Sequence, residues 1–214
     1  KRFVKPFYPF EDIVLIKKGE KSTGSPTKDI SRWKSREVTR AFYAQNKMGA
    51  RIQEEDFDLV YWKGMGRAMR RFPRMYRRWV TKQLSGSCGC NSYLSRWGDK
   101  VKKECPCCGA QEETVAHVTL CSGPGRENAY MSSIKTVSKW LKKNKTEPRM
   151  MSVIVRYLYA RNTATMTSFI RPRTSPRLAY LANLQDRLGF QNFVEGKICK
   201  FMVEIQRIHL EASR

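Results

Sequence analysis

Residues 54–84 read EEDFDLVYWKGMGRAMRRFPRMYRRWVTKQL, and their periodicity decides the fold class. Leu59, Trp62, Met65, Met69 and Phe72 recur every three or four residues, the repeat of one helical face, so the spacing predicts a helix from about Glu54 to Phe72. Pro73 has no N–H to donate and its ring collides with the preceding turn, so it must break or kink that helix. A second helical pattern runs from Arg74 to Leu84, with Tyr76, Trp79, Val80 and Leu84 expected to face inward.

Upstream, Phe7, Tyr8 and Phe10 alternate with prolines, and Asp12 to Ile16 forms a short β-like run closed by a turn over Lys17 to Glu20. Gly24 to Thr27 reads as a loop, and Thr27 to Lys47 carries a weaker helical pattern through Ile30, Trp33, Val38, Ala41 and Phe42, ended by Gly49. Downstream, Ser85 to Asn91 is a turn cluster and Ser122 to Gly125 a hinge. Met131 to Lys143 is amphipathic, with Met131, Ile134, Val137 and Leu141 on one face and Lys135, Lys139, Lys142 and Lys143 elsewhere. Further helices are expected at Arg149 to Arg161, at Pro176 to Leu188 before Gly189, and at Phe193 to Ala212. The chain therefore reads as mainly α with a small β part near the N-terminus and around the cysteines, an irregular α+β multi-helix architecture. Its expected segments are 1–50, extended or β; 51–122, basic helices plus a Cys/His module; and 126–214, a C-terminal helical lobe.

The chain has 214 residues, with 42 Lys+Arg against 19 Asp+Glu and a formal charge of +23. Its apolar share of 41%, with five Trp and ten Phe, is enough to build a core, which sets it apart from a disordered basic tail. No apolar run approaches the roughly 18 residues of a membrane span, and no signal-peptide pattern opens the chain. The expectation is an intracellular protein without a membrane partner, in the nucleus or an organelle. Because the first residue is Lys rather than Met, the stretch reads as a processed product or a piece of something longer.

A surface this positive repels itself unless a polyanion neutralises it, and nucleic acid is the first candidate. Tyr61 to Lys82 holds eight basic residues and no acid, and Pro148 to Gln185 holds six Arg and no acid. Arg67, Arg70, Arg71, Arg74, Arg77, Arg78 and Lys82 form a candidate phosphate-binding ridge at helical intervals, and Lys139, Lys142 and Lys143 a second basic set. Trp33, Tyr93 and Trp97 are candidate stacking residues, with a place in the core as the competing reading of each.

Six of the seven cysteines lie between Cys88 and Cys121, and an odd count outside a secretory context argues against a disulfide framework. Cys105 and Cys108, then His117, then Cys121 follow the pattern Cys-x2-Cys, eight residues, His, three residues, Cys, the spacing of a four-ligand zinc site. Gly109 permits the tight turn, and His117 and Cys121, four apart, share one face of a short helix. Four protein ligands would close the shell around one structural zinc, leaving no open position for catalysis. Cys107 could replace Cys105 or Cys108 by a shift of register, Cys88 and Cys90 are expected to pack or to be accessory, and Cys199 is expected in the core. Glu112 and Glu113 read as negative charge at the start of the following helix.

Tyr61-Trp62-Lys63-Gly64, Phe72 to Gly86, Cys105 to Cys121, Gly123-Pro124-Gly125-Arg126, Gln185 to Phe190 and Phe193 to Gly196 together resemble a known region. It is the part C-terminal to the polymerase and RNase H-like domains of reverse-transcriptase proteins encoded by retroelements of diatoms and other microbial eukaryotes. The resemblance spans most of residues 10 to 205, and its CCHC zinc knuckle is similar to that following the polymerase in non-LTR retrotransposons. It implies zinc ligation by Cys105, Cys108, His117 and Cys121 and a phosphate-facing set of Arg70, Arg71, Arg74, Arg77, Arg78 and Lys82. It departs from the enzymes of that family: no Tyr-x-Asp-Asp motif is present, and Glu127, Glu147 and Asp186 are too few and scattered to hold catalytic metals. The expectation is a non-catalytic, zinc-stabilised nucleic-acid-binding module, RNA ahead of DNA, belonging to a reverse transcriptase or derived from one. The alternative is a structural RNA-binding subunit of a large ribonucleoprotein such as an organellar ribosome.

Overall fold

The computed structural model describes residues 16, 17, 20, 21, 26–47, 49–98, 100–171 and 175–213. The aromatic and proline run at 7–10, residues 12–15 of the β-like run and residues 24 and 25 of the expected loop lie outside the described residues, while Pro26 and Thr27 of that loop belong to the first helix. The chain divides into two compact units, Lys1–Phe42 and Tyr43–Arg214.

Two two-residue strands, β1 (Ile16–Lys17) and β2 (Glu20–Lys21), pair antiparallel and are followed by α1 (Pro26–Gln45). Within α1, Arg32 pairs with the buried Asp29 at 3.0 Å, and Trp33 is buried. A 3-10 helix at Glu54–Leu59 precedes α2 (Trp62–Arg71) and α3 (Arg74–Ser85), then the short α4 (Asn91–Leu94) and α5 (Val115–Leu120). The remainder is α6 (Pro124–Lys143), α7 (Pro148–Ala160), α8 (Pro176–Leu188), α9 (Phe190–Val194) and α10 (Lys200–Ala212). No helix among the described residues is long and apolar enough to cross a membrane.

The fold is all-α, which overturns the expected α+β class. Among the described residues the only strands are β1 and β2, and the region around the cysteines carries none. There the backbone bonds to itself over short distances, Cys105 N to Ala110 O at 2.8 Å and Gly109 N to Cys105 O at 2.9 Å, so converging thiols are held by tight turns, not by a ladder.

Single helices expected at 54–72 and 193–212 are each split. The first breaks at Val60–Tyr61, where Tyr61 N donates to Ile198 O at 2.9 Å and Val60 bridges Cys199. These are the two ends of one tertiary contact, and a contact between remote segments has no signature in local periodicity. The expected hinge at 122–125 is the start of α6, with Gly123 as N-cap and Pro124 in the first turn, where its missing N–H leaves no bond unmade.

The unit from Tyr43 onward is organised on α8. Leu178, Leu181 and Ala182 join Leu141, Met150, Val153, Ile154, Tyr157, Met166, Phe190, Phe193 and Met202 in one core cluster. Leu184 and Leu188, further round the same helix, join Tyr43, Ile52, Phe57, Val60 and Cys199 in a second. Cys199 is thus a core residue, as its helical neighbours suggested. The buried Gln185 on α8 accepts from Cys199 N at 2.9 Å, and Asn192 donates to Arg51 O and Leu188 O, both at 2.7 Å. These polar groups hold the breaks in the chain where no helix can.

Candidate metal centre and basic face

Gly109 adopts φ +74°, the left-handed conformation that closes the Cys105–Gly109 turn. Thr114 caps α5 by accepting from His117 N at 3.0 Å, which fixes the backbone turn from which the His117 ring projects. One turn later Cys121 ends the helix. The ligand atoms of Cys105, Cys108, His117 and Cys121 consequently lie within 4.8 Å of one another, a group able to hold a metal ion.

The separations suit a tetrahedron. Metal–sulfur bonds of about 2.3 Å at tetrahedral angles place two sulfurs about 3.8 Å apart, and Cys105 Sγ to Cys121 Sγ is 3.8 Å. Cys108 Sγ to His117 Nε2 is 3.3 Å. All seven cysteines are free thiols. Cys105 and Cys121 are buried, His117 is half-buried and Cys108 is exposed, so the site is anchored inside and reachable from outside. Cys107, the alternative ligand, falls outside the group, as do Cys88 and Cys90.

The two buried thiols differ. Burial opposes ionisation of Cys105, but the backbone N–H groups of Cys107 and Cys108 and the side chains of His117 and Cys108 outweigh it and draw the thiol down to about 6. Burial pushes Cys121 up to about 11, against the Gly123 N–H, with Cys108 and Cys105 adding to the rise. Binding a cation here releases the Cys121 proton, so it is favoured as pH rises.

A supporting shell holds these ligands, and sequence reasoning missed it. Glu113 is buried, 4% exposed, accepts from Asn91 N at 2.9 Å and pairs with Arg126 of α6, with Cys105 Sγ 3.9 Å away. It is therefore a buried tie between the cysteine loop, α4 and α6, not merely charge at a helix start. Arg161, at the end of α7, donates to Thr119 O at 3.0 Å and to Cys121 O at 2.6 Å while lying over the Tyr130 ring at 4.6 Å. No local spacing announces either role, because both partners come from distant chain.

The basic residues divide between helices. Phe72 (ψ 146°) and Pro73 (ψ 151°) are both extended, so the chain is broken there, with Arg67, Arg70 and Arg71 on α2 and Arg74, Arg77, Arg78 and Lys82 on α3. All seven are exposed, and none enters an ion pair among the described residues. Arg74, Arg77, Arg78 and Lys82 line a shallow groove with Met69, Met75, Trp79 and Thr81. Lys139, Lys142 and Lys143 are exposed on α6, outside that groove.

No protein-family model, no curated protein and no solved structure matches the chain.

The expectation that Tyr76 and Trp79 face inward is wrong: they are 46% and 50% exposed, Val80 is half-buried and Leu84 alone of the four is buried. Periodicity reports that apolar and charged residues are segregated, not that anything covers the apolar face. Of the stacking candidates drawn from the sequence, Trp33 is buried, Tyr93 is half-buried, and Trp97 is exposed with Tyr93 at 6.4 Å. The carboxylates considered for catalysis are occupied in part: Asp186 accepts from Met166 N and Thr167 N, and Glu147 caps α7 at Met150 N.

Proposed function

We propose that the chain is a nucleic-acid-binding module in which one structural zinc is held by Cys105, Cys108, His117 and Cys121, and the exposed arginines of α2 and α3 contact phosphate. The observation that carries the reading is the run of seven exposed basic side chains on two consecutive helices, with no ion-pair partner among the described residues. Unpaired cations crowded along a surface repel one another, and a polyanion such as nucleic acid relieves that repulsion. Three thiolates and an imidazole at tetrahedral spacing select a soft, four-coordinate ion, which favours zinc. With all four positions filled by protein, the metal stiffens the 105–121 loop and performs no chemistry. Lys139, Lys142 and Lys143 extend the basic surface on α6. RNA is the proposed partner ahead of DNA, and the likeness to the region following the polymerase of retroelement reverse transcriptases belongs to the same reading.

Native mass spectrometry of protein purified without chelator or RNase tests both halves: one zinc per chain and co-purifying RNA are expected. A single ribosomal RNA species in that fraction would make the chain a ribonucleoprotein subunit. Replacing Arg70, Arg74 and Arg77 together by Gln should weaken binding to every sequence and lower the slope of log K against log salt by about one for each phosphate no longer neutralised. An unchanged slope would remove the arginines from the interface.

A further inference from the structure

We propose that α3 carries a base-stacking platform, Tyr76 and Trp79 backed by Phe72, that takes a single-stranded stretch of nucleic acid. The inference rests on the nucleic-acid reading above and adds to it the strandedness of the ligand and the rings that select it. Trp79 and Tyr76 lie with ring centroids 5.5 Å apart and planes inclined by 31°, an offset, tilted pair. Phe72 meets Tyr76 in a T-shaped contact with ring centroids 4.7 Å apart, which restricts the Tyr76 ring. All three rings are exposed, and Met75 beside them is 71% exposed.

Nothing in the core claims these side chains, for α3 buries only Leu84 and α2 buries no residue. At 100° per residue, Arg74, Arg78 and Lys82 fall within about 80° of one another around α3, and Met75, Tyr76 and Trp79 occupy about the next 100°. A cationic stripe therefore runs directly beside an aromatic one along the same helix, and Arg74, Arg78, Lys82 and Trp79 share one groove.

The charge sets the class of occupant: Tyr61 to Lys82 contains no acid, so the surface complements a polyanion. The rings set the strandedness. A duplex covers the faces of its bases with one another and offers a protein only edges and phosphates. An unpaired base can lay its face on Trp79 or Tyr76 while the neighbouring phosphates meet the arginines.

The test uses the full zinc-loaded chain, a short unstructured oligo(U), the duplex form of a matched length, and vesicles containing phosphatidylserine. Tighter binding to the single strand is expected. Tyr76→Ala and Trp79→Ala should each lower single-strand affinity about fivefold or more. Duplex affinity and the salt slope should be unchanged, and Trp79→Phe should restore most of the affinity. Both positions are exposed, and unchanged far-ultraviolet circular dichroism and zinc content confirm that the variants fold. As an independent readout on the unaltered chain, 4-thiouridine crosslinks should map to the peptide containing Tyr76 and Trp79. Crosslinks elsewhere, unchanged affinity of the ring variants, or a preference for duplex or vesicles would overturn the platform. Failure of the unaltered chain to bind either nucleic acid would instead overturn the parent reading.

Discussion

A β-carbon at Gly123 would collide with Cys107 Sγ and lie 2.8 Å from Cys107 O, so the start of α6 sits against the cysteine turn with no room for a methyl group. Gly123→Ala should cost about 1–3 kcal/mol in the metal-loaded protein by overpacking. Gly125→Ala, with open space around it, should be neutral or stabilising by up to about 1 kcal/mol. Differential scanning calorimetry of the two variants checks the contrast, and equal midpoints would mean that the turn yields. Glu113→Ala should cost about 2–3 kcal/mol and weaken metal retention. That is less than a fully buried pair, because the Arg126 side chain keeps 30% of its exposure. Urea unfolding and competition with a chromophoric chelator measure the two effects. A third residue gives a pH signature. Lys197 is fully buried, pairs with Glu195 and lies 4.9 Å over the Tyr43 ring. Burial holds its ammonium below the ordinary 10.5, against the pull of Glu195. The folded state therefore sheds this proton before the unfolded chain does. The contribution is complete above 10.5 and is lost as pH falls through the lower folded value. The stability of the native chain relative to Lys197→Met should thus rise as pH approaches 10.5 from below, ahead of the tyrosines Tyr43 and Tyr157, which burial holds above their ordinary 10.0. A flat difference would show that Glu195 fully offsets the burial of Lys197.

At the scale of elements, helices whose ends carry their own chemistry were readable and those ended by tertiary contact were not. Pro148 and Pro176 sit in the first turns of α7 and α8, and Gly189 at φ +82° follows α8, so local residues mark these boundaries. The breaks at Val60–Tyr61 and before α10 are made by Tyr61 bonding Ile198 and by Gln185 receiving Cys199 N, across the fold. The short helix Thr167–Phe169 belongs to the second kind, since Asp186 from α8 holds Met166 N at 2.6 Å and Thr167 N at 2.9 Å. Asp186→Ala should cost about 1–2 kcal/mol, as removal of a cap does. Hydrogen exchange should then show faster amides at Met166 and Thr167 while the α8 interior stays protected. A uniform fall in protection would place Asp186 in a wider network. The α2–α3 pair shows the limit of amphipathicity as a signal: its apolar stripe is real in sequence, yet along the two helices it buries only Leu84 and leaves Phe72, Tyr76 and Trp79 exposed.

For the whole molecule, the placement of the cysteines outside both apolar clusters has a measurable consequence, Cys199 excepted. Chelation should unfold the 105–121 loop and leave α6 to α10 folded around their own core, with most of the helical circular dichroism at 222 nm retained. Hydrogen exchange should show the fall in protection concentrated between Asn91 and Cys121. Cooperative unfolding of the entire chain would mean that the grip of Arg161 on Thr119 and Cys121 couples the loop to the core far more tightly than its hydrogen bonds suggest. By itself the sequence determined the helical character, most helix positions, the net charge of +23 and the four candidate ligands. Helix positions and ligand pairs such as Cys105–Cys108 and His117–Cys121 depend on residues within about one or two turns of one another, where spacing and propensity act directly, and the charge is a plain sum over the chain. The tertiary structure alone decided that the cysteine region has no strands, that Cys107 is excluded from the cluster, that Glu113 and Arg161 support it, and that Tyr76 and Trp79 face outward. These depend on which remote segments meet, and contacts between distant parts of a chain leave no periodic trace in either of them.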